Sequence, residues 1–313
     1  MKKQIKNKLL ELLSYPVLGL IYLLSLSPMF LLYMISDIIY FLLYKVIGYR
    51  KLVTQANLKN AFPKKSHQEL KEIEAQFYTH FCDILVETIK SFTISGASLK
   101  QRMKLLNPEV LEHLHDKKIS LIAVTGHYGN WEWAALSLPL QSNYKPQGIY
   151  LPLKNRVFNK CMINSRGRFG LSLISTNAMI EKFEASKNDL SITGFIADQS
   201  PSNPTKAYWM SFLNQETAVS FGTEKYARDY KLGVVFGKIA KLKRGYYTLE
   251  YTVVTEDPSE VALGQLTQRH AKLLEAAILE KPQFWLWTHK RWKHRRPEGM
   301  SLNQFIADER PAK

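Results

Sequence analysis

Residues equipped for acid–base chemistry gather in one short stretch, Gly126-His127-Tyr128-Gly129-Asn130-Trp131-Glu132. A neutral imidazole takes a proton from a hydroxyl at one nitrogen while a carboxylate holds the N–H of the other, fixing the tautomer and stabilising the imidazolium. Glu132 follows His127 by five positions and can reach back to it if a helix begins at Asn130 or Trp131. Gly126 and Gly129 let substrate and backbone approach closely, and the helix start offers unpaired N–H groups to an anion. On spacing alone, a histidine that merely satisfies a loop carbonyl fits as well. Rival chemistries lack their residues. No second histidine completes a zinc pattern, and there is no G-x-S-x-G elbow, Walker A loop or G-x-G-x-x-G after a strand. No metal site is assigned. Direct attack of a substrate hydroxyl on a thioester, with His127 as base, needs no enzyme nucleophile.

The flanking pattern positions this stretch. Ile119–Val124 is a short apolar run of the kind that forms a strand buried on both faces. Trp131–Leu140 reads as a helix. Strand-like runs follow at Gln147–Tyr150, Leu171–Ile174, Ser191–Ile196 and Val234–Lys238, and Lys243-Arg244-Gly245 joins Gly233–Leu242 to Tyr246–Val254 as a hairpin. Upstream, Ser66 and Glu69 have capping-box spacing before a helix reaching Ser91, and a second helix spans Pro108–Lys117. Strands alternating with helices predict an α/β fold with a mixed central sheet flanked by helices, whose site lies at the carboxyl ends of the strands.

The 313 residues carry a net charge of +16, which favours anionic partners. The basic residues are dispersed and no nucleic-acid-binding signature is present, so nucleic acid is the weaker choice. Cys82 and Cys161 form no C-x-x-C pattern, which suits a reducing compartment. Residues 15–47 are almost wholly apolar and choose a membrane partner. Met29–Ile47 has the length to cross a bilayer core. Yet Pro28 divides the stretch, and Asp37 costs about 2.5–3.5 kcal/mol at mid-helix. Lys2, Lys3, Lys6 and Lys8 flank one side and Lys45, Arg50 and Lys51 the other, which leaves orientation open. A helix pair lying in one leaflet explains these features as well as a tilted span. The expected organisation is a membrane anchor over 1–50 and a catalytic domain over 51–313.

The Gly126–Glu132 stretch resembles the H-x4-D/E motif of the lipid A late acyltransferases, the lauroyl/myristoyl branch of the lysophospholipid acyltransferase superfamily, in a Bacteroidetes-type form. Further blocks match in order: Tyr150-Leu151-Pro152-Leu153-Lys154-Asn155 with Ser165–Gly170, Ala197-Asp198-Gln199-Ser200-Pro201, Phe212-Leu213-Asn214 through Thr217 and Gly222, and the Trp-rich basic block Gln283–Lys293. The resemblance implies an enzyme on the cytoplasmic face of the inner membrane. It implies transfer of a fatty acyl chain from acyl carrier protein, or coenzyme A, to a hydroxyl on a phosphorylated glycolipid acceptor, with no cofactor. His127 would be the general base and Glu132 its partner. Asn214 stands where many relatives have glycine, in a segment expected to shape the substrate groove.

Attack on a thioester builds an oxyanion. Arg168 is the first candidate to meet it and Arg166 the second, although either arginine suits a phosphate equally. Asn130, Arg166, Asp198, Gln199 and Lys154 are assigned to substrate binding. Trp285, Trp287 and Trp292 among the cations of Thr288–Arg296 predict a face for anionic headgroups or an acidic carrier protein. Rival functions are O-acylation of an aminolipid or lysophospholipid, and non-catalytic lipid binding on the same fold.

Overall fold

The computed structural model describes residues 2–303; residues 304–313 and the side chains of 1–10, including the basic flank at Lys2, Lys3, Lys6 and Lys8, lie outside the described residues. Nine strands form two sheets: β1 (Met103–Leu105), β2 (Leu121–Thr125), β3 (Lys145–Tyr150), β4 (Ser172–Ser175), β5 (Ser191–Ile196), β6 (Ala207–Phe212), β7 (Gln215–Ser220), β8 (Gly233–Lys243) and β9 (Tyr246–Thr255). The main sheet has seven strands in the order β1-β9-β8-β2-β5-β3-β4. Only the β8–β9 hairpin pairs antiparallel within it; the other pairings are parallel. The expected mixed α/β sheet is therefore present.

Strand β2 lies at the centre, with β5 on one side and β8 on the other. Leu121, Ile122, Ala123 and Val124 are all buried, which is why this strand reads as continuous apolar sequence rather than an alternation. Two apolar cores cover the two faces. One gathers Ile122, Val124, Phe195, Phe236 and Leu274 with Trp285 and Trp287; the other gathers Ala123, Trp133, Leu138, Val235, Leu249 and Tyr251. The separate β6–β7 hairpin turns through Leu213 and Asn214, both at positive φ. The segment expected to shape a substrate groove is thus a two-residue hairpin turn. Asparagine tolerates the left-handed conformation there, and Asn214 Nδ2 donates to the Ala61 carbonyl.

The helices over Lys2–Leu26 and Met29–Tyr40 precede the sheet, and a π-helical turn, Phe41–Ile47, continues the second. Met29–Ile47 is long and apolar enough to cross a membrane. One face of it, through Leu32, Ser36 and Tyr44, is buried, and the Met29–Tyr40 helix packs against the long His67–Lys90 helix. Phe30, Met34, Ile38, Phe41, Val46 and Ile47 remain exposed. Asp37 does not stand alone: Arg244, in the β8–β9 turn, pairs with it at 2.6 Å and with buried Asp83 at 2.7 Å. The His67–Lys90 helix starts at the expected capping box, in which Ser66 and Glu69 satisfy each other's neighbouring N–H groups.

Glu87, on that helix and fully buried, joins the N-terminal segment to the sheet. Tyr33, Asn130 and Tyr247 all donate to its carboxylate. Burial, reinforced by Asp83, raises its pKa to about 7 against the opposing effects of the Tyr247 hydrogen bond, Lys241 and Tyr33. A carboxyl group raised on folding contributes stability below its unfolded pKa and loses it as pH rises through the folded value. Glu87→Gln keeps the shape and abolishes that titration. We expect the thermal midpoint to fall less between pH 5 and pH 8 in the variant than in the wild type, by the equivalent of about 1–3 kcal/mol.

Candidate active site

Parallel neighbours end at the same edge of a sheet, so the loops leaving β2 and β5 emerge side by side. The backbone N–H of Ala197 extends the ladder to the Thr125 carbonyl. This sets Asp198 against His127: the carboxylate accepts from His127 Nδ1 at 2.7 Å and from the His127 backbone N–H at 2.8 Å. Trp285 Nε1 is a third donor, at 2.7 Å. Gly126 permits this closeness, since a Cβ there would sit 3.1 Å from Asp198 Oδ2 and 2.8 Å from Leu274. Gly129 has φ +61, and a Cβ on it would meet Ile239 at 2.6 Å.

The expected His127–Glu132 hydrogen bond is therefore corrected: Asp198 orients the imidazole. Glu132 lies in the first turn of the Trp131–Ser137 helix, where its side chain is gripped by Arg166, Nε to Oε2 at 2.9 Å and Nη2 to Oε1 at 2.5 Å. Both members of this bidentate pair line the same cavity as His127. Gln199 reaches over the site, with its amide nitrogen 3.4 Å from His127 Nε2, and Trp131 meets the imidazole edge-on at 5.1 Å between ring centroids.

Other expectations move as well. Arg168 is not at the site; it follows the end of the Arg156–Gly167 helix and donates to the carbonyls of Ser91 and Ile94. Asn130 is buried without touching the cavity, because its oxygen caps the Trp131–Ser137 helix by accepting from Trp133 N–H while its amide serves Glu87. Lys154 is exposed on the loop before the Arg156–Gly167 helix. The Trp-rich block is largely interior: Trp285 and Trp287 are buried, and Trp292 donates to Thr217. Its backbone zips onto the histidine loop, Gly129 N–H to Phe284 carbonyl and Leu286 N–H to His127 carbonyl. The indole N–H of Trp285 thus serves Asp198 rather than a membrane interface. Sequence reasoning missed this role because tryptophans among cations carry the signature of an interface.

Burial would push the His127 pKa down, but the charge and hydrogen bond of Asp198, aided by Glu132, outweigh it and hold the pKa above the ordinary value, against Arg166. Burial would likewise raise Asp198; His127 and the hydrogen bonds from Trp285 and the backbone bring it below the usual carboxylate range. An ionised Asp198 accepts the proton on Nδ1, which leaves the Nε2 lone pair for chemistry. Among the described residues no group of three metal-ligating side chains converges.

From this edge a cavity of about 480 Å³ runs beneath the Trp131–Ser137 and Arg156–Gly167 helices. Its lining includes residues of β9, β8, β2, β5, β3 and β4, so five strand spacings of about 4.8 Å put its ends roughly 24 Å apart. The floor is made of small residues in register: Gly148 opposite Gly194, and Gly194 opposite Ala123. Leu138, Leu171, Leu173, Ile239 and Leu249 make the walls, and Leu151 and Leu153 are exposed at the rim. A largely apolar channel, with a histidine base beside it at the β2 position between its β9 and β4 ends, fits a hydrocarbon chain.

The pattern of the bacterial lipid A biosynthesis acyltransferase family matches residues 2–294. The chain belongs to that family. No curated protein matches it. The family is one of acyltransferases in lipid A biosynthesis, so acyl transfer is the class of chemistry that membership implies for the chain. His127 and Glu132 both line the channel; the carboxylate that touches the histidine is that of Asp198, from the later Asp-Gln turn.

Asp198→Asn leaves one oxygen where three donors converge and turns an amide toward one of them. We expect kcat to fall on the order of 10³-fold. With the carboxylate's upward push gone and burial retained, the acid limb of the remaining activity moves to lower pH. A pH–rate profile of the variant checks both.

Proposed function

We propose that the protein moves a fatty acyl chain from an acyl thioester, carried by acyl carrier protein, to a hydroxyl of a phosphorylated lipid A precursor. The observation carrying this reading is the His127–Asp198 pair beside the apolar channel. The acyl chain lies in the channel with its thioester carbonyl beside His127. The acceptor hydroxyl gives its proton to His127 Nε2 as its oxygen attacks the carbonyl carbon. The tetrahedral intermediate then expels the thiolate by breaking the C–S bond, and the imidazolium returns the proton to sulfur. The products are an ester and a free thiol.

Glu132 acts here through Arg166. With Nε and Nη2 held by the carboxylate, the guanidinium presents Nη1 to the developing oxyanion, and one positioned donor of this kind is worth about 2.7–4 kcal/mol. Arg166 takes the role expected of Arg168. Gln199, beside Nε2, holds the acceptor hydroxyl. Residues 1–50 attach the domain over 51–313 to the cytoplasmic face of the inner membrane, as a helix pair lying in one leaflet. The pairing of Asp37 with Arg244 and the packed face of the Met29–Tyr40 helix favour this over a span.

Lipid A mass spectrometry of strains with and without the protein tests the reading, and should show one acyl chain lost from lipid A. Unchanged lipid A together with loss of an O-acylated aminolipid would move the activity to another acceptor. His127→Ala is expected to abolish transfer while folding and membrane association persist, as judged by thermal midpoint and vesicle sedimentation. At Gly194 a Cβ would meet only the Gln147 carbonyl, at 3.6 Å, so a side chain fits and fills the channel. Gly194→Val should shift preference to shorter chains by about 10-fold or more, as a few methylenes allow, measured in kcat/KM across a chain-length series.

A further inference from the structure

The channel wall formed by β8 and β9 is apolar with one exception. Tyr251, on β9, is 5% exposed and lines the channel beside Leu249, Ile239 and Leu138. Its ring lies over Gly237, whose missing Cβ would sit 3.2 Å from Tyr251 Cε1. Its backbone is fixed: Asn107 accepts from the Tyr251 N–H at 2.9 Å and donates to its carbonyl at 2.8 Å.

Buried tyrosine hydroxyls ordinarily find a partner. In this protein Tyr78 donates to the Tyr49 carbonyl, Tyr128 to Ala277, Tyr144 to Ile119 and Tyr247 to Glu87, whereas buried Tyr44 and Tyr208, neither of which lines the channel, make no such bond among the described residues. Among the described residues the Tyr251 hydroxyl has no such partner, although a phenylalanine would fill the same wall without a polar atom. Burial alone raises its pKa, with no contribution from a charged group. Its neighbours in the lining, Leu138, Ile239 and Leu249, are apolar, which suits neither a phosphate nor a carboxylate.

We propose that Tyr251 is a specificity residue that hydrogen-bonds a neutral oxygen substituent, a hydroxyl or carbonyl, on the hydrocarbon chain held in the channel. The protein's preferred acyl group is then an oxygenated fatty acyl chain rather than a plain saturated one. This rests on reading the channel as an acyl-chain site. The physical basis is asymmetric. A plain chain leaves the buried hydroxyl unpaired, whereas an oxygen at the right depth satisfies it, so the site discriminates against the chain that lacks it. The substituent is distinct from the acceptor hydroxyl at His127, because Tyr251 belongs to the β9 end of the channel, three strands from β5, whose end carries Asp198 and Gln199.

The test uses coenzyme A thioesters of one chain length, plain or carrying a hydroxyl at successive positions. Binding is measured to full-length His127→Ala protein, which cannot turn them over. Transfer kcat/KM is measured with wild type. One position along the chain should bind about 10-fold tighter than the plain chain or better, and be transferred correspondingly faster. Tyr251→Phe should erase that preference and bind the plain chain at least as tightly as wild type, while keeping its thermal midpoint. Equal binding of plain and hydroxylated chains at every position overturns the proposal, as does a preference that survives in Tyr251→Phe. Failure to bind any acyl chain overturns the channel reading itself, and is thereby distinguished from failure of the hydroxyl contact.

Discussion

A buried carboxylate that accepts three N–H groups holds this molecule's working edge together. Asp198 is almost wholly enclosed, and an ion there is costly unless its oxygens are satisfied. The donors come from the histidine ring, from the backbone of the same histidine and from the indole of Trp285. The donors tie two parts of the fold together: the loop after β2 carries two, and a segment beyond the Gln265–Glu280 helix carries the third. Arg291, also buried and close enough to act on Asp198 electrostatically, adds positive potential behind the carboxylate. The result is a histidine whose ring orientation, tautomer and pKa are set by one group, with its free nitrogen turned to the channel.

The channel follows from a different constraint. A sheet face normally fills with branched side chains that press against covering helices. Here β2, β5, β3 and β8 present Ala123, Gly194, Gly148 and Gly237 on the face under the helices. The missing side-chain volume becomes a trough across the strands. Glycine weakens a strand interior and commonly marks a close approach: over Gly237 and Gly148 neighbouring side chains move in, whereas over Gly194 no side chain does. The width of the trough is thereby written into backbone positions rather than into side chains.

What could be read from the sequence was whatever depended on neighbours along the chain. The strand before His127, the glycine-flanked loop, the helix after it and the Ser66 capping box are all local, and all form. Asp198 was visible as a polar residue after a strand. Its partnership with His127 depends on β2 and β5 being adjacent, and strand order is not a local property. Glu132 was close in sequence, yet its place in a helical turn aims it at Arg166. Arg166 and Arg168 differ by two positions; one lies inside the last helical turn and the other just past it, so they face opposite ways. The Trp-rich block misled for a compositional reason, since aromatics beside cations describe a membrane interface and a buried hairpin-like bridge equally well.

The interleaving of the site along the chain sets a schedule. During synthesis the apolar helices of the first 47 residues emerge first, His127 follows, then Asp198, and Trp285 only 87 positions after that. A nascent chain therefore carries its apolar helices long before it owns a properly held base. The carboxylate stays one donor short until Trp285 docks, so the histidine's competence waits on the last of its three supports to be synthesised.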